Sequence, residues 1–288
     1  MQQQGSPCDF SGGDSWVILS PIEQSIKKKI EAVGTPLKDW DINIYRGVLT
    51  GYNDAFIITT SKRDEILSNC QNEDERKRTA ELIRPILRGR DIKRYGYNWA
   101  ELWLINTHNG IKGRIPRIKI EDYPAIKAHL DKYWDKIKNR ADQGDTPYNL
   151  RNCAYLEDFL KPKILYPDIM RLPRDKVKMD KYPYFYYDTK NFFPEATLFL
   201  MVGDQLPQVY DFLCSEIGFF IFSKYYMGPV FDSTGFRYKK DYLCNLPVPK
   251  NRVKSSGADD YETQLSKILG LSREEMDYIH QYKDNLLL

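Results

Sequence analysis

The sequence predicts an α+β fold, a mixed sheet with flanking helices. Three observations lead there. Helix-like and strand-like stretches are interleaved without a regular βαβ alternation, which disfavours a doubly wound parallel sheet. Hydrophobic residues make up 42% of the 288-residue chain, enough for one large domain, or one plus a small appendage. Aromatics reach 14%, with 21 Tyr. Tyr buries its ring and turns its hydroxyl to a polar partner, which suits both β-rich cores and wet interfaces.

Residues 1–15 are polar and carry Gly12-Gly13, an expected disordered N-terminus. Ser20-Pro21-Ile22-Glu23 marks a helix start: Ser as cap, Pro at the first position, Glu at the third. Ile22, Ile26, Ile30 and Val33 then share one face, and Gly34 stops the helix. Residues 46–60 (RGVLTGYNDAFIITT) read as strand, tight turn, strand. Gly47, Gly51, Asn53 and Asp54 form the turn, and residues 55–60 form a β-rich run. Residues 73–87 read as a charged helix that leads into an Arg-rich segment, residues 83–95 (IRPILRGRDIKRY). That segment sets Arg84, Arg88, Arg90, Lys93 and Arg94 against one acid, Asp91.

Residues 99–106 (WAELWLIN) read as a strand, and residues 123–140 as an amphipathic helix with Ile126, Leu130, Trp134 and Ile137 in register. Residues 163–169 are a short buried strand, and residues 184–188 and 197–202 two more. Residues 208–225 form the most hydrophobic helix. Pro247-Val248-Pro249 closes the body, and Ser255-Ser256-Gly257 links it to two short helices. Ser272 and Glu275 cap the second of these. The expected organisation is a disordered 1–15, a main domain over 16–254 and a short helical tail over 255–288.

Net charge is only +3, but its distribution is uneven. Lys112, Arg114, Arg117 and Lys119 stand together without an acid, and Arg237, Lys239, Lys240, Lys250, Arg252 and Lys254 face only Asp241. The last thirty residues lean acidic. Dense basic clusters on a near-neutral chain are the footprint of a phosphate-backbone binder, with a solvated face as the plain alternative for each cluster. Five Cys at wide spacing without a CxxC imply reduced thiols and a cytoplasmic location, and three scattered His argue against a metal site. No run is long and apolar enough to span a bilayer, so no membrane partner is expected.

Two kinds of catalytic chemistry have sequence patterns to compare with this chain. An adenine-N6 methyltransferase needs an Asn/Asp-Pro-Pro-Tyr/Phe motif to hold a flipped base. The nearest string, Asp145-Thr146-Pro147-Tyr148, lacks the first proline and has no Gly-rich loop upstream. No phosphate-binding loop or dinucleotide fingerprint occurs. Pro167-Asp168 followed by Asp188-Thr189-Lys190 does fit the loose pattern of Mg-dependent nucleases, where two carboxylates hold the metal and the lysine supports the attacking water. A Mg-dependent endonuclease using Asp168, Asp188 and Lys190 is therefore the alternative function. A protein-interaction module that binds no DNA is a third reading.

The recognition candidates are Arg46, Thr50, Asn53, Arg88, Arg90, Arg94, Lys112, Arg114, Arg117, Arg171 and Arg237. Arg and Lys reach guanine edges and Asn reaches adenine, while most basic residues contact phosphate. Arg46 has pairing with Asp54 as its alternative, and Asn53 a left-handed backbone role in the turn.

Taken together, GVLTGYNDAF (47–56), ILRGRDI (86–92), KILYPDI (163–169) and GFRYKKDYL (235–243), in that order, resemble the TaqI-like C-terminal specificity domain of type II restriction-modification adenine methyltransferases. The likeness runs over residues 16–250. It implies a target-recognition domain that reads duplex DNA and is not itself catalytic. A separate N-terminal domain or subunit would bind S-adenosylmethionine and methylate adenine, so no cofactor is expected in this chain. The resemblance implies no base-reading residue by position, since specificities differ among such domains.

Overall fold

The computed structural model describes residues 19–173, 182–227, 235–251, 253 and 257–286. The expected disordered stretch 1–15 and the Ser255-Ser256 part of the linker lie outside the described residues. The chain divides into two compact units. One comprises Ile42–Met170 and Tyr184–Leu206; the other comprises Met1–Asp41, Arg171–Pro183 and Pro207–Leu288.

In chain order, helix α1 (Pro21–Val33) starts as the sequence predicts. The Ser20 hydroxyl accepts the Glu23 backbone N–H, and the Glu23 carboxylate accepts the Ser20 N–H. Strands β1 (Gly34–Pro36) and β2 (Ile42–Arg46) follow. The expected strand over 55–60 is a correction. Asn53–Phe56 is one helical turn, α2, and only Ile57–Thr59 is strand, β3. Burial outweighs β-propensity here: Ala55 and Phe56 are both fully buried, and the Arg140 guanidinium lies 4.5 Å from the Phe56 ring centroid.

Helices α3 (Thr60–Ser68) and α4 (Glu73–Leu82) follow. The helix expected over 73–87 ends at Leu82, and Ile83–Leu87 is strand β4. Pro85 explains this, because it has no N–H to continue the helix and holds Arg84 extended. A short hairpin pairs β5 (Ile92–Lys93) with β6 (Gly96–Tyr97), and β7 is Leu102–Ile105. The single helix expected over 123–140 is two, α5 (Pro124–Asp131) and α6 (Trp134–Ile137). Lys132 and Tyr133 donate to His129 and Leu130 in tighter i→i−3 bonds between them.

Strand β8 (Lys163–Pro167) is buried at every residue. It is followed by β9 (Ile169–Arg171), β10 (Tyr186–Asp188), β11 (Phe193–Pro194) and β12 (Leu198–Gly203). The long apolar helix divides into α7 (Leu206–Cys214) and α8 (Glu216–Ile221), because Ser215 turns extended and caps the second with its hydroxyl on Gly218 N–H at 2.8 Å. Then come β13 (Gly235–Arg237), α9 (Lys240–Leu243), β14 (Pro247–Pro249), α10 (Ala258–Leu269) and α11 (Arg273–Asn285).

The unit of residues 42–170 and 184–206 holds two four-stranded sheets. One is antiparallel in the order β10-β8-β12-β2; the other runs β11-β4-β7-β3, with β11 parallel to β4. A continuous apolar core, including Phe56, Ile86, Leu104, Ile126, Phe159, Leu165 and Leu200, fills it. In the other unit β1 pairs with β14, and α1, α8, α10 and α11 pack together over buried Ile26, Phe220, Leu265 and Ile279. Polar links tie α11 in: Tyr278 donates to Glu23 at 2.6 Å, and Ser25 and Lys29 donate to Glu275 at 2.7 and 2.6 Å. The α+β expectation holds.

Candidate nucleic-acid interface

The two motifs that dominate the sequence, residues 46–56 and 86–92, meet in space through a third that sequence reading passed over, Pro194–Thr197. Val48 N–H donates to the Pro194 carbonyl at 2.7 Å, and Glu195 N–H donates to the Leu87 carbonyl at 2.8 Å. Gly89 N–H donates to the Thr197 hydroxyl oxygen at 2.9 Å. Gly47 permits this approach: a Cβ there would lie 2.2 Å from the Glu195 carbonyl oxygen. Gly51 supplies the left-handed residue of the turn, φ 69°.

The buried Glu195 carboxylate organises the junction. It accepts from the Thr197 N–H at 2.9 Å and hydroxyl at 2.5 Å, and more weakly from the Asn53 amide at 3.5 Å. Asn53 Oδ1 in turn accepts the Thr50 hydroxyl at 2.5 Å. Beneath the turn lies Arg140, whose Nε donates to the Thr50 carbonyl at 2.8 Å and whose other nitrogens donate to the carbonyls of Ile137, Pro147 and Asn149. Burial lowers the Arg140 pKa to about 10. That still leaves it charged at neutral pH, so it acts as a fixed cationic strut.

Several candidates change role. Thr50 is 2% exposed with its hydroxyl committed to Asn53, so it braces the turn and is not a ligand contact. Arg88 is clamped by Asp91, with Nε and Nη2 at 3.0 and 2.9 Å. Those bonds raise its pKa and make it a structural pair with buried Asp91. Asn53 is helical, so its left-handed alternative fails, and Arg46 donates to the Ala196 carbonyl at 3.0 Å where pairing with Asp54 was the alternative. Arg46, Asn53 and Arg90 are exposed.

Arg94 is half-buried, its guanidinium 5.0 Å from the Tyr95 ring centroid. Tyr95 is 55% exposed at φ 63° in the second position of the turn between β5 and β6. Glycine is the usual residue there, and a left-handed side-chain-bearing residue costs about 1–2 kcal/mol.

Lys112, Arg114 and Arg117 do come together. They lie on a loop closed by an Ile111–Ile115 bridge, bordering an open cavity of about 590 Å³ with Asp145 and Asn152. All three are exposed. Arg114 pairs with Glu157, and Arg117 with Asp145 at 3.2 Å. Such exposed pairs are worth only about 0–1 kcal/mol, so a phosphate can replace the carboxylate at little cost. Asn109 anchors the loop by donating to Asp145 at 2.9 Å. Arg171 ends β9 and is exposed; Arg237 ends β13 and is half-buried. Both belong to the other unit, so they are not brought together with the rest within one body.

The endonuclease alternative is not supported. Asp188 is fully buried, pairs with buried Lys163 at 2.6 Å and accepts the Lys190 and Phe192 N–H groups at 2.9 and 3.0 Å. Lys190 Nζ donates to the Tyr97 hydroxyl at 3.1 Å. Burial depresses the Lys163 pKa against the pull of Asp188. Among the described residues no group of three His, Cys, Asp or Glu is arranged to hold a metal ion. The 145–148 string is used by the fold: Asp145 holds Asn109 and Arg117, and Tyr148 donates to Asp131 at 2.6 Å. Cys70, Cys153 and Cys244 are free thiols. Among the described residues no helix is long and apolar enough to cross a membrane.

No protein-family model matches the chain. It is similar to the type II methyltransferase M.BstVI of Geobacillus stearothermophilus, 26% identical over 281 residues. That alignment covers 94% of this chain and 44% of the relative, so the chain spans less than half the length of the protein it matches. Among solved structures it is similar to the type IIL restriction-modification enzyme MmeI in complex with DNA, with a TM-score of 0.49, 12% identity, and coverage of 88% of this chain and 33% of that one. It is also similar to the type IIG restriction endonuclease BpuSI, with a TM-score of 0.47, 14% identity, and coverage of 92% and 32%.

Proposed function

We propose that this chain is a duplex-DNA target-recognition module of a type II restriction-modification system, working with an adenine-N6 methyltransferase domain or subunit. One observation carries the reading: the match to a type II methyltransferase runs through 94% of this chain and takes up only 44% of that enzyme. The surface chemistry supports it. Arg46, Arg90, Lys93, Lys112, Arg114 and Arg117 are exposed on one unit, among exposed carboxylates such as Asp145 and Glu157, so cationic groups are available there to phosphate.

Phosphate contacts would supply most of the affinity, and a few side chains would read bases at about 1–3 kcal/mol for each good bidentate pair. Asn53 and Arg46, displayed on the braced turn, are candidates for reading bases. Lys112, Arg114 and Arg117 are candidates for gripping phosphate. S-adenosylmethionine belongs, in this reading, to the methyltransferase partner. Selection of bound duplexes from a random pool tests the assignment: a short enriched motif is expected. Enrichment of no motif, under conditions where the chain binds DNA, would contradict sequence recognition.

A further inference from the structure

We propose that the Arg94-Tyr95 turn is a base-stacking element, with Tyr95 packing its ring on an unpaired or displaced nucleobase. The proposal rests on the DNA-binding reading above. The β5–β6 hairpin is tight: Ile92 pairs with Tyr97 and Lys93 with Gly96, leaving only Arg94 and Tyr95 in the loop. Tyr95 holds φ 63° at the position where glycine fits without strain. The adjacent Gly96 has no positive φ, and a Cβ there would meet nothing within 4 Å. The chain thus sets its bulk where strain is highest and its glycine where a side chain would be tolerated. An outlier of this kind in an exposed aromatic points to use of the ring.

The stem beneath is fixed. The Tyr97 ring packs 4.8 Å from Phe192 and 4.9 Å from Tyr186, centroid to centroid, and Tyr95 N–H donates to the Phe185 carbonyl at 3.2 Å. The hairpin that carries Tyr95 is therefore braced, and Tyr95 itself is 55% exposed. The segment that carries it is basic. Arg90 and Lys93 are exposed, Arg94 lies by the ring, and Lys190 reaches the Tyr97 hydroxyl. The one acid of the hairpin segment, Asp91, is buried against Arg88. An aromatic face among cations matches the stacking platforms of nucleic-acid binders.

The test uses the full chain and two fluorescent probes: a fully paired duplex, and the same duplex carrying one bulged 2-aminopurine. Wild type is expected to favour the bulged probe by about tenfold and to quench its fluorescence. Tyr95→Phe should retain both effects. Tyr95→Gly should lose both, yet unfold at no lower urea concentration, because glycine relieves the turn. A Tyr95→Gly variant that keeps the preference and the quench overturns stacking while leaving DNA binding intact, and would redirect the exposed ring to a protein partner. Failure of wild type to bind either probe would overturn the DNA-binding reading as well.

Discussion

Asp188 shows how far a residue's chemistry depends on what buries it. Its spacing to Lys190 fits a nuclease pattern, but its carboxylate is closed off by Lys163, which stands elsewhere in the sequence and pairs with it across neighbouring strands. Spacing was legible; burial and the Lys163 pairing were not. Asp188→Asn leaves Lys163 buried without its counter-ion and is expected to cost about 3–5 kcal/mol in urea unfolding. A variant as stable as wild type would contradict the structural role. His129 offers a pH test. Burial holds its pKa below 6.5, with Nε2–H donating to the Ala55 carbonyl at 3.0 Å and Lys62, Lys132 and Glu65 nearby. The unfolded chain therefore takes up the proton first. The stability contribution is complete above about pH 6.5 and is lost as pH falls through the lower folded value. His129→Gln should flatten the fall in unfolding midpoint between pH 7 and 5, but only in part, because half-buried His108 shifts in the same direction.

At the scale of elements, local signals worked where one residue type dictates the backbone. The Ser20–Glu23 and Ser272–Glu275 capping boxes both form as the sequence predicts. Local reading failed where distant contacts decide. Ala55-Phe56 coils because Arg140 and His129 dock on it. The recognition motifs were legible as strings, but not their junction, since nothing in FFPEATLF marks Glu195 as the carboxylate that joins them. Gly47→Ala forces a Cβ onto the Glu195 backbone and is expected to cost about 1–3 kcal/mol. Gly96→Ala meets open space and should change stability by less than about 0.5 kcal/mol. Glu195→Ala strips partners from Thr197 and Asn53, with an expected loss of about 1–3 kcal/mol. Urea unfolding of the three variants checks the order, and equal losses at Gly47 and Gly96 would refute the close approach.

For the whole molecule, the mixed α+β architecture could be read from interleaved periodicities. Which segments share a unit could not, because residues 1–41, 171–183 and 207–288 come together across long stretches of chain. Charge shows the same division. The basic clusters were visible in sequence, yet only the fold separates exposed Arg90, Lys112, Arg114 and Arg117 from Arg88 and Arg140, whose charges are spent internally. The most direct measurement is duplex affinity by fluorescence anisotropy over a salt series, for wild type and for the Lys112→Ala/Arg114→Ala/Arg117→Ala variant. For a DNA-recognition module the logarithm of affinity should fall linearly with log salt, and the variant's slope should be shallower by about 0.9 for each phosphate contact removed. Absent or salt-insensitive binding, or a slope the triple variant leaves unchanged, would contradict a phosphate-gripping role for this surface.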